Sequence, residues 1–297
     1  MVIPRHLQIE TVNGICTARC TMCTIREWDR RPNMMSDDIF ERILTKFEII
    51  QEKLQYITLH GCGEPLLDLT LPNKIRIAKE MGFIGIGFAT NCTELSEQKG
   101  SDLLKAGLDT IICSIDGITK ETHESIRVQT NFEKVVLNVL NFIRMRNESK
   151  IKTKVIIRFI EQSKNKDEWP MFLEFWGKKI DKHCGDKVLK FDIHNWEGKV
   201  KEYLSMDSSR KINSRKEICQ DVYERIIVYS NGEVGFCCAD DNGFFKLGNV
   251  LNEDPLQIYN NDIYNGYRQL MEDGKILDLD HCRDCTIPRS RKFKIEY

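Results

Sequence analysis

Cys16-Thr17-Ala18-Arg19-Cys20-Thr21-Met22-Cys23 sets three thiols within eight residues, directly after the apolar stretch His6–Val12. The arrangement reads as a first strand followed by a loop that can wrap one corner of an inorganic cluster. A cysteine-ligated cluster of four irons ordinarily takes four protein thiolates. Three leave one iron open, and an open position marks a catalytic rather than a structural metal site. Zinc, or a chance grouping of thiols, is the bland reading of the same spacing. The rest of the chain decides between them.

Working outward, short apolar stretches alternate with helical patterns as far as about residue 196. The strand candidates are His6–Val12, Tyr56–His60, Phe83–Thr90, Thr110–Ile115, Lys154–Ile160 and Val188–His194. Ile84, Ile86 and Phe88 alternate at period two, and Ile111-Ile112-Cys113 reads as a fully buried run. Between strands, Ser36 with Asp37 and Asp38 forms an N-cap and an acidic first turn. Ile39, Ile43, Phe47, Ile50 and Leu54 follow on one face, and Phe132, Val135, Val136, Val139, Leu140 and Ile143 form a second stripe. Gly82 and Gly107 stand where helix ends want a left-handed residue. Six such units predict an α/β fold, a partial (β/α)6 TIM-like barrel with its working face at the strands' C-terminal ends. A charged stretch around 197–218 places a division near residue 200, giving 1–200 as barrel and 201–297 as a small α+β domain. There, Asn231-Gly232 between two apolar runs predicts a hairpin, and Pro255 to about Met271 a helix.

The ends of the strands carry further motifs. The second ends in His60-Gly61-Cys62-Gly63-Glu64-Pro65, where glycines permit close backbone approach and Pro65 fixes a turn. The third ends in Thr90-Asn91-Cys92, the fourth in Ser114-Ile115-Asp116-Gly117. Together with the cysteine triplet, these resemble the radical S-adenosylmethionine (SAM) superfamily. The resemblance implies a [4Fe-4S] cluster on Cys16, Cys20 and Cys23 whose open iron is chelated by SAM. One electron then cleaves the sulfonium, and a 5′-deoxyadenosyl radical takes hydrogen from substrate. Gly61, Gly63, Glu64 and Pro65 stand where the family's Gly-Gly-Glu-Pro motif holds the methionine amine, with Cys62 replacing the first of its paired glycines. Cys92 replaces the glycine of Thr-Asn-Gly. By the same resemblance Ser114 binds the cofactor, Asp116 shapes the adjacent turn, Arg127 meets the cofactor carboxylate and Met22 neighbours the adenine. For Arg127 a surface ion pair is the competing reading.

A second constellation follows: Cys219, twelve residues, Gly232, four residues, Cys237, then Cys282-x-x-Cys285. Four thiolates can hold zinc, one iron or a cluster, and spacing alone favours zinc. The pattern is similar to the shortened, "twitch" form of the SPASM domain, and that resemblance implies one auxiliary [4Fe-4S] cluster on Cys219, Cys237, Cys282 and Cys285. Cys238 is a candidate hydrogen-atom donor, although a paired cysteine is ordinary there. Cys62, Cys92, Cys113 and Cys184 read as small buried hydrophobes.

Composition narrows the function. The chain has 297 residues, 44 Lys+Arg against 45 Asp+Glu, and a net charge of −1, which gives no footprint for nucleic acid or an acidic membrane surface. The basic run Arg289–Lys294 reads as a solvated end. No stretch is apolar enough to span a bilayer, and Met1–His6 lacks a signal peptide's apolar core. The expectation is a cytoplasmic protein, where twelve cysteines argue for metal rather than disulfides. The resemblance implies an oxidoreductase that removes hydrogen from a small polar substrate of sugar or aminocyclitol kind, passes the second electron to the auxiliary cluster and draws on an external reductant such as flavodoxin or ferredoxin. A peptide-modifying enzyme or an epimerase is the alternative; the short lead into the first strand leaves no room for a leader-binding domain and weighs against a peptide. Arg158, His194 and Glu197 lie at the ends of strands facing the substrate and are the candidate catalytic groups.

Overall fold

Period-two alternation sorts the strands of this chain, whose computed structural model describes residues 1–196, 199–200, 218–240, 242–283 and 285. Six strands run parallel: β1 (His6–Ile9), β2 (Tyr56–Thr58), β3 (Ile86–Thr90), β4 (Thr110–Ser114), β5 (Lys154–Glu161) and β6 (Lys187–Asp192). They pair in sequence order, which is the partial barrel the β/α pattern predicts. Leu7, Ile9, Ile57, Ile86, Phe88, Ile111, Cys113, Val155, Ile157 and Phe159 join the main core under the helices. Alternate residues must face the other way. There Ala89, Ile112 and Ile156 with Leu189 form a separate small apolar floor, while Gln8, Thr58, His60, Ser114 and Arg158 bring polar groups to the same inner face.

Helices cover the outer face: α1 (Asp37–Phe47), α2 (Leu71–Glu80), α3 (Glu97–Lys105), α4 (Lys120–Ile126), α5 (Phe132–Ser149) and α6 (Trp169–Gly177). Ser36 caps α1, its hydroxyl accepting from Ile39 N at 3.3 Å. The buried stripe of α1 is Phe40, Ile43, Leu44 and Phe47; Ile39 lies at its margin. Gly82 and Gly107 take φ of +85° and +89° at the ends of α2 and α3. β3 begins later than its apolar run suggests, because Gly82 and Gly85 both turn left-handed and leave Ile84 60% exposed.

The sheet continues past the expected division. β7 (Arg225–Val228) pairs parallel with β1, and β8 (Val234–Gly235) returns antiparallel through the Asn231-Gly232 turn. The outer strand of the barrel therefore comes from the segment that carries the second cysteine set. Beyond it lie α7 (Pro255–Tyr259) and α8 (Asp262–Glu272). The single helix expected here is broken because Asp254 and Asn261 each cap a new start, Asn261 Oδ1 accepting from Tyr264 N at 2.8 Å.

Candidate functional site

The first thiol loop is stitched to the barrel by a two-residue antiparallel pair, Arg19–Cys20 against Arg127–Val128, with Cys20 opposite Arg127. Thr21 N donates to Ile126 O at 2.9 Å, and Cys23 N turns back to Cys20 O at 3.1 Å. Cys16 Sγ accepts from Ala18 N at 3.4 Å and from Asn91 Nδ2 at 3.6 Å. Cys20 Sγ accepts from Arg127 Nη1 at 3.6 Å. Loss of water pushes all three thiols up, Cys23 to about 12 although its outer face is open. Thiolates here need a cation to hold them. A soft donor set of three thiols, served by N–H groups, fits a cluster.

Glu64 ties the neighbouring strand ends together. Its Oε1 accepts from Thr90 Oγ1 at 2.6 Å and Leu66 N at 3.1 Å, and its Oε2 from Asn91 N at 2.9 Å. Burial raises its pKa against these bonds. Pro65 opens a short turn of helix, Pro65–Leu67. The flanking glycines serve the chain's own packing. A Cβ on Gly61 would lie 2.8 Å from Glu10 Cβ, and one on Gly63 2.5 Å from the Val12 carbonyl. Cys92 keeps the left-handed turn at φ +61° in place of a glycine, with Thr90 Oγ1 accepting its N–H at 2.9 Å.

Ser114 accepts from Arg158 Nη2 at 2.6 Å. Asp116 is fully buried; Oδ1 accepts from Ile160 N at 2.7 Å and Oδ2 meets Arg127 Nη2 at 2.7 Å. Arg127 is 5% exposed, so the pair is an interior one and the surface reading is corrected. Met22 packs with Ile126, Ile193 and Val200 beside Cys20, an apolar wall at the strand ends. Of the catalytic candidates, Arg158 points to the inner face of β5, His194 is half-buried just after β6, and Glu197 lies outside the described residues. Cys92 and Cys113 are buried as expected, whereas Cys62 and Cys184 are only half-buried.

Two more groups face inward: His60, which reads from sequence as a packed or hydrogen-bonded histidine beside the site, and Glu10, which sequence reasoning missed. His60 accepts Ala89 N–H on Nδ1 at 3.4 Å, and burial, then the Arg158 and Arg225 cations, drive it down to about 3. A neutral ring that accepts at Nδ1 carries its proton at Nε2. Glu10, at the end of β1, grips Arg30 through both oxygens at 2.7 Å, and Arg30 lies 4.1 Å over the Tyr229 ring. Alternation marks both His60 and Glu10 as inward-facing.

The second set of cysteines does converge. Cys219, before the short helix Asp221–Glu224, Cys237, after β8, and Cys282 and Cys285 line one cavity with Asp221 and His281. Burial, then the surrounding cysteine sulfurs, lifts the Cys237 thiol far above its usual range. Four thiols on one cavity fit a fully ligated metal group. Cys238 is not among its lining residues.

A partial parallel barrel with three thiols at its strand ends, backed by a four-thiol cavity, defines an iron–sulfur protein with one cluster open to a ligand. Residues 11–162 match the Radical SAM superfamily, and the chain belongs to it. Residues 219–286 match the SPASM iron-sulfur cluster-binding domain. The protein thus carries a [4Fe-4S] cluster with SAM and, in its SPASM domain, auxiliary iron–sulfur. The tungsten-containing aldehyde ferredoxin oxidoreductase cofactor-modifying protein of Pyrococcus furiosus is 31% identical over 112 residues, 38% of this chain and 31% of that relative. The chain therefore spans under a third of that relative's length. The structure of BtrN in complex with AdoMet and 2-DOIA superposes with a TM-score of 0.65 at 15% identity, over 98% of this chain and 97% of that one. Streptococcus suis SuiB bound to precursor peptide SuiA gives 0.69 at 16% identity, over 90% and 67%. Among the described residues no helix is long and apolar enough to cross a membrane.

Proposed function

We propose that this radical SAM enzyme removes hydrogen from a small polar substrate of sugar or aminocyclitol kind and oxidises it, with one auxiliary cluster receiving the second electron. The four-thiol cavity carries the reading: Cys219, Cys237, Cys282 and Cys285 line it, and ligation by all four would leave no open position, which suits a group that passes electrons rather than binding substrate. Cys16, Cys20 and Cys23 hold the first cluster. Bound there with SAM on its open iron, that cluster would supply the electron that cleaves the sulfonium, the adenosyl radical released from SAM would take hydrogen from carbon, and the hydroxyl proton would pass to solvent as the second electron leaves.

The chain's own groups position and shield. Glu64 locks together the ends of β2 and β3, where the methionine end of the cofactor would be held, while Gly61, Gly63 and Pro65 bring that turn against β1. Ser114 and Asp116 fix the end of β4. Met22 with Ile126 and Ile193 forms a dry wall for the adenine. The inner face offers Thr58, His60, Ser114 and Arg158 above the apolar floor of Ala89, Ile112, Ile156 and Leu189. That pairing suits a compact molecule with hydroxyl or amino groups on one side. His60 presents Nε2–H and acts as a donor to substrate oxygen, because its lowered pKa makes it a poor base. Arg158 and His194 are the further groups that meet substrate. A small external iron–sulfur or flavin protein serves as reductant.

The test is anaerobic loading followed by reaction with a panel of amino sugars and cyclitols under dithionite. We expect about eight irons per chain, the sum of two four-iron clusters, with a new carbonyl formed in step with 5′-deoxyadenosine. A Cys219→Ala, Cys237→Ala variant should hold about four irons, still form 5′-deoxyadenosine and stop oxidising. Normal oxidation by that variant, or a product at the oxidation level of its substrate, sinks the proposal. Turnover of a peptide and not of the panel would replace the substrate class.

A further inference from the structure

Arg127 sits where the thiol loop is fastened to the barrel, and its side chain folds back onto that joint. Nη1 donates to Cys20 Sγ at 3.6 Å while Nη2 meets the buried Asp116 carboxylate at 2.7 Å. Asp116 is itself fixed by Ile160 N, and its backbone oxygen accepts from Asn165 Nδ2 at 3.1 Å. The guanidinium is thus held from behind and aimed at one sulfur. The other two thiols are served differently. Cys16 takes the Ala18 backbone N–H and the neutral Asn91 amide, and Cys23 takes the Ile25 backbone N–H. Among the described contacts, Cys20 alone of the three receives a donor with a full positive charge.

We propose that Arg127 is a positioning residue that raises the reduction potential of the cluster held by Cys16, Cys20 and Cys23, through its charged N–H···S bond to Cys20, rather than a clamp on the carboxylate of SAM. The proposal rests on the ligand assignment above. Hydrogen bonds to the sulfurs and net charge near a cluster set its potential. The reduced cluster is the more negative one, so a fixed cation at a ligand sulfur favours it. Asp116 neutralises part of this charge and in exchange fixes its direction. Both terminal nitrogens are engaged, Nη1 with Cys20 and Nη2 with Asp116, while Nε has no hydrogen-bond partner among the described residues.

The experiment is an EPR-monitored redox titration of the loaded protein without SAM, followed by measurement of SAM binding. Arg127→Met should raise the oxidised-to-reduced ratio at a fixed poise at least tenfold, a fall of about 59 mV for one electron. Arg127→Lys, which keeps the charge, should recover part of the shift. An unchanged midpoint with SAM affinity weakened tenfold or more would overturn the proposal in favour of the carboxylate clamp. Should Arg127→Met fail to fold, pulsed EPR of the wild-type protein labelled with 15N-arginine decides the matter. A 15N coupling to the reduced cluster is expected, and its absence would overturn the bond. A wild-type protein that loads no cluster through the three cysteines would sink the ligand assignment itself. A loaded protein whose potential ignores Arg127 would sink this proposal alone.

Discussion

His123 is fully buried on α4, accepts Asp116 N–H on Nδ1 at 3.3 Å and packs at a tilt against the Phe132 ring at 5.4 Å. Burial, then the Arg127 cation, drives it down to about 3 from the ordinary 6.5. The unfolded chain takes up a proton at that histidine below about pH 6.5, while the folded chain refuses it until about pH 3. Its contribution is therefore whole above about pH 6.5 and lost as pH falls through that window. Between about pH 8 and about pH 5 the loss is about 2 kcal/mol. Urea unfolding should show it, and His123→Gln, which keeps an acceptor but does not titrate, should flatten the dependence. Equal slopes in both proteins would mean the ring is protonated in the native state. Single residues also show what the sequence hides. Gly61 and Gly63 read as places where the backbone comes close to a ligand, whereas the fold shows that a Cβ on each would strike Glu10 and Val12 of the chain itself. Glu64 was legible through its motif, while its partners Thr90 and Asn91 lie twenty-six and twenty-seven positions away and carry no periodic signal.

Elements were legible where burial on one face imposes a period. The six barrel strands follow from short apolar runs, alternating or fully buried, the stripes of α1 and α5 from the helical period, though Ile50 and Leu54 lie beyond the end of α1, and the Asn231-Gly232 hairpin from its turn chemistry. The pairing of β7 with β1 was not legible, because parallel partners are joined only in space and this pair spans over two hundred residues. That pairing carries Arg225 from the second thiol cavity to the barrel interior. The guanidinium reaches Asp221 at 3.1 Å, a buried carboxylate on the cavity wall, and Gln8 on β1 at 2.8 Å. Breaking such a buried pair strands a charge, at about 3–5 kcal/mol, whereas removing both members costs far less. Arg225→Met should show the full loss in thermal or urea unfolding, and Asp221→Asn with Arg225→Met should recover most of it. Additive losses would mean that the two side chains act separately.

At the scale of the molecule, the two thiol sites belong to segments that meet at the end of β1. Glu10 is 1% exposed and accepts from Arg30, which follows the first thiol loop, from Cys62 N at 3.1 Å and from Ser230 N at 3.3 Å. Arg30 covers Tyr229, whose hydroxyl donates to Asp240 O, and Asp29 N donates to Asn242 at 2.8 Å. One carboxylate thus joins the first loop, the end of β2 and the start of the hairpin that leads to Cys237. This network, with the β1–β7 ladder, joins the segments that carry the two sites. Arg30→Ala leaves Glu10 buried without its cation and should cost about 3–5 kcal/mol. The loss should be local before it is global. Hydrogen exchange should rise first in 229–240 and in the loop after Cys23, while β3 to β5 keep their protection. The variant should still load the first cluster and hold the second less tightly, read as a lower iron content after gel filtration. Uniform loss of protection across the barrel would show that Glu10 and Arg30 stabilise the fold as a whole. Unchanged exchange would show that the strand pairing alone keeps the two sites in register.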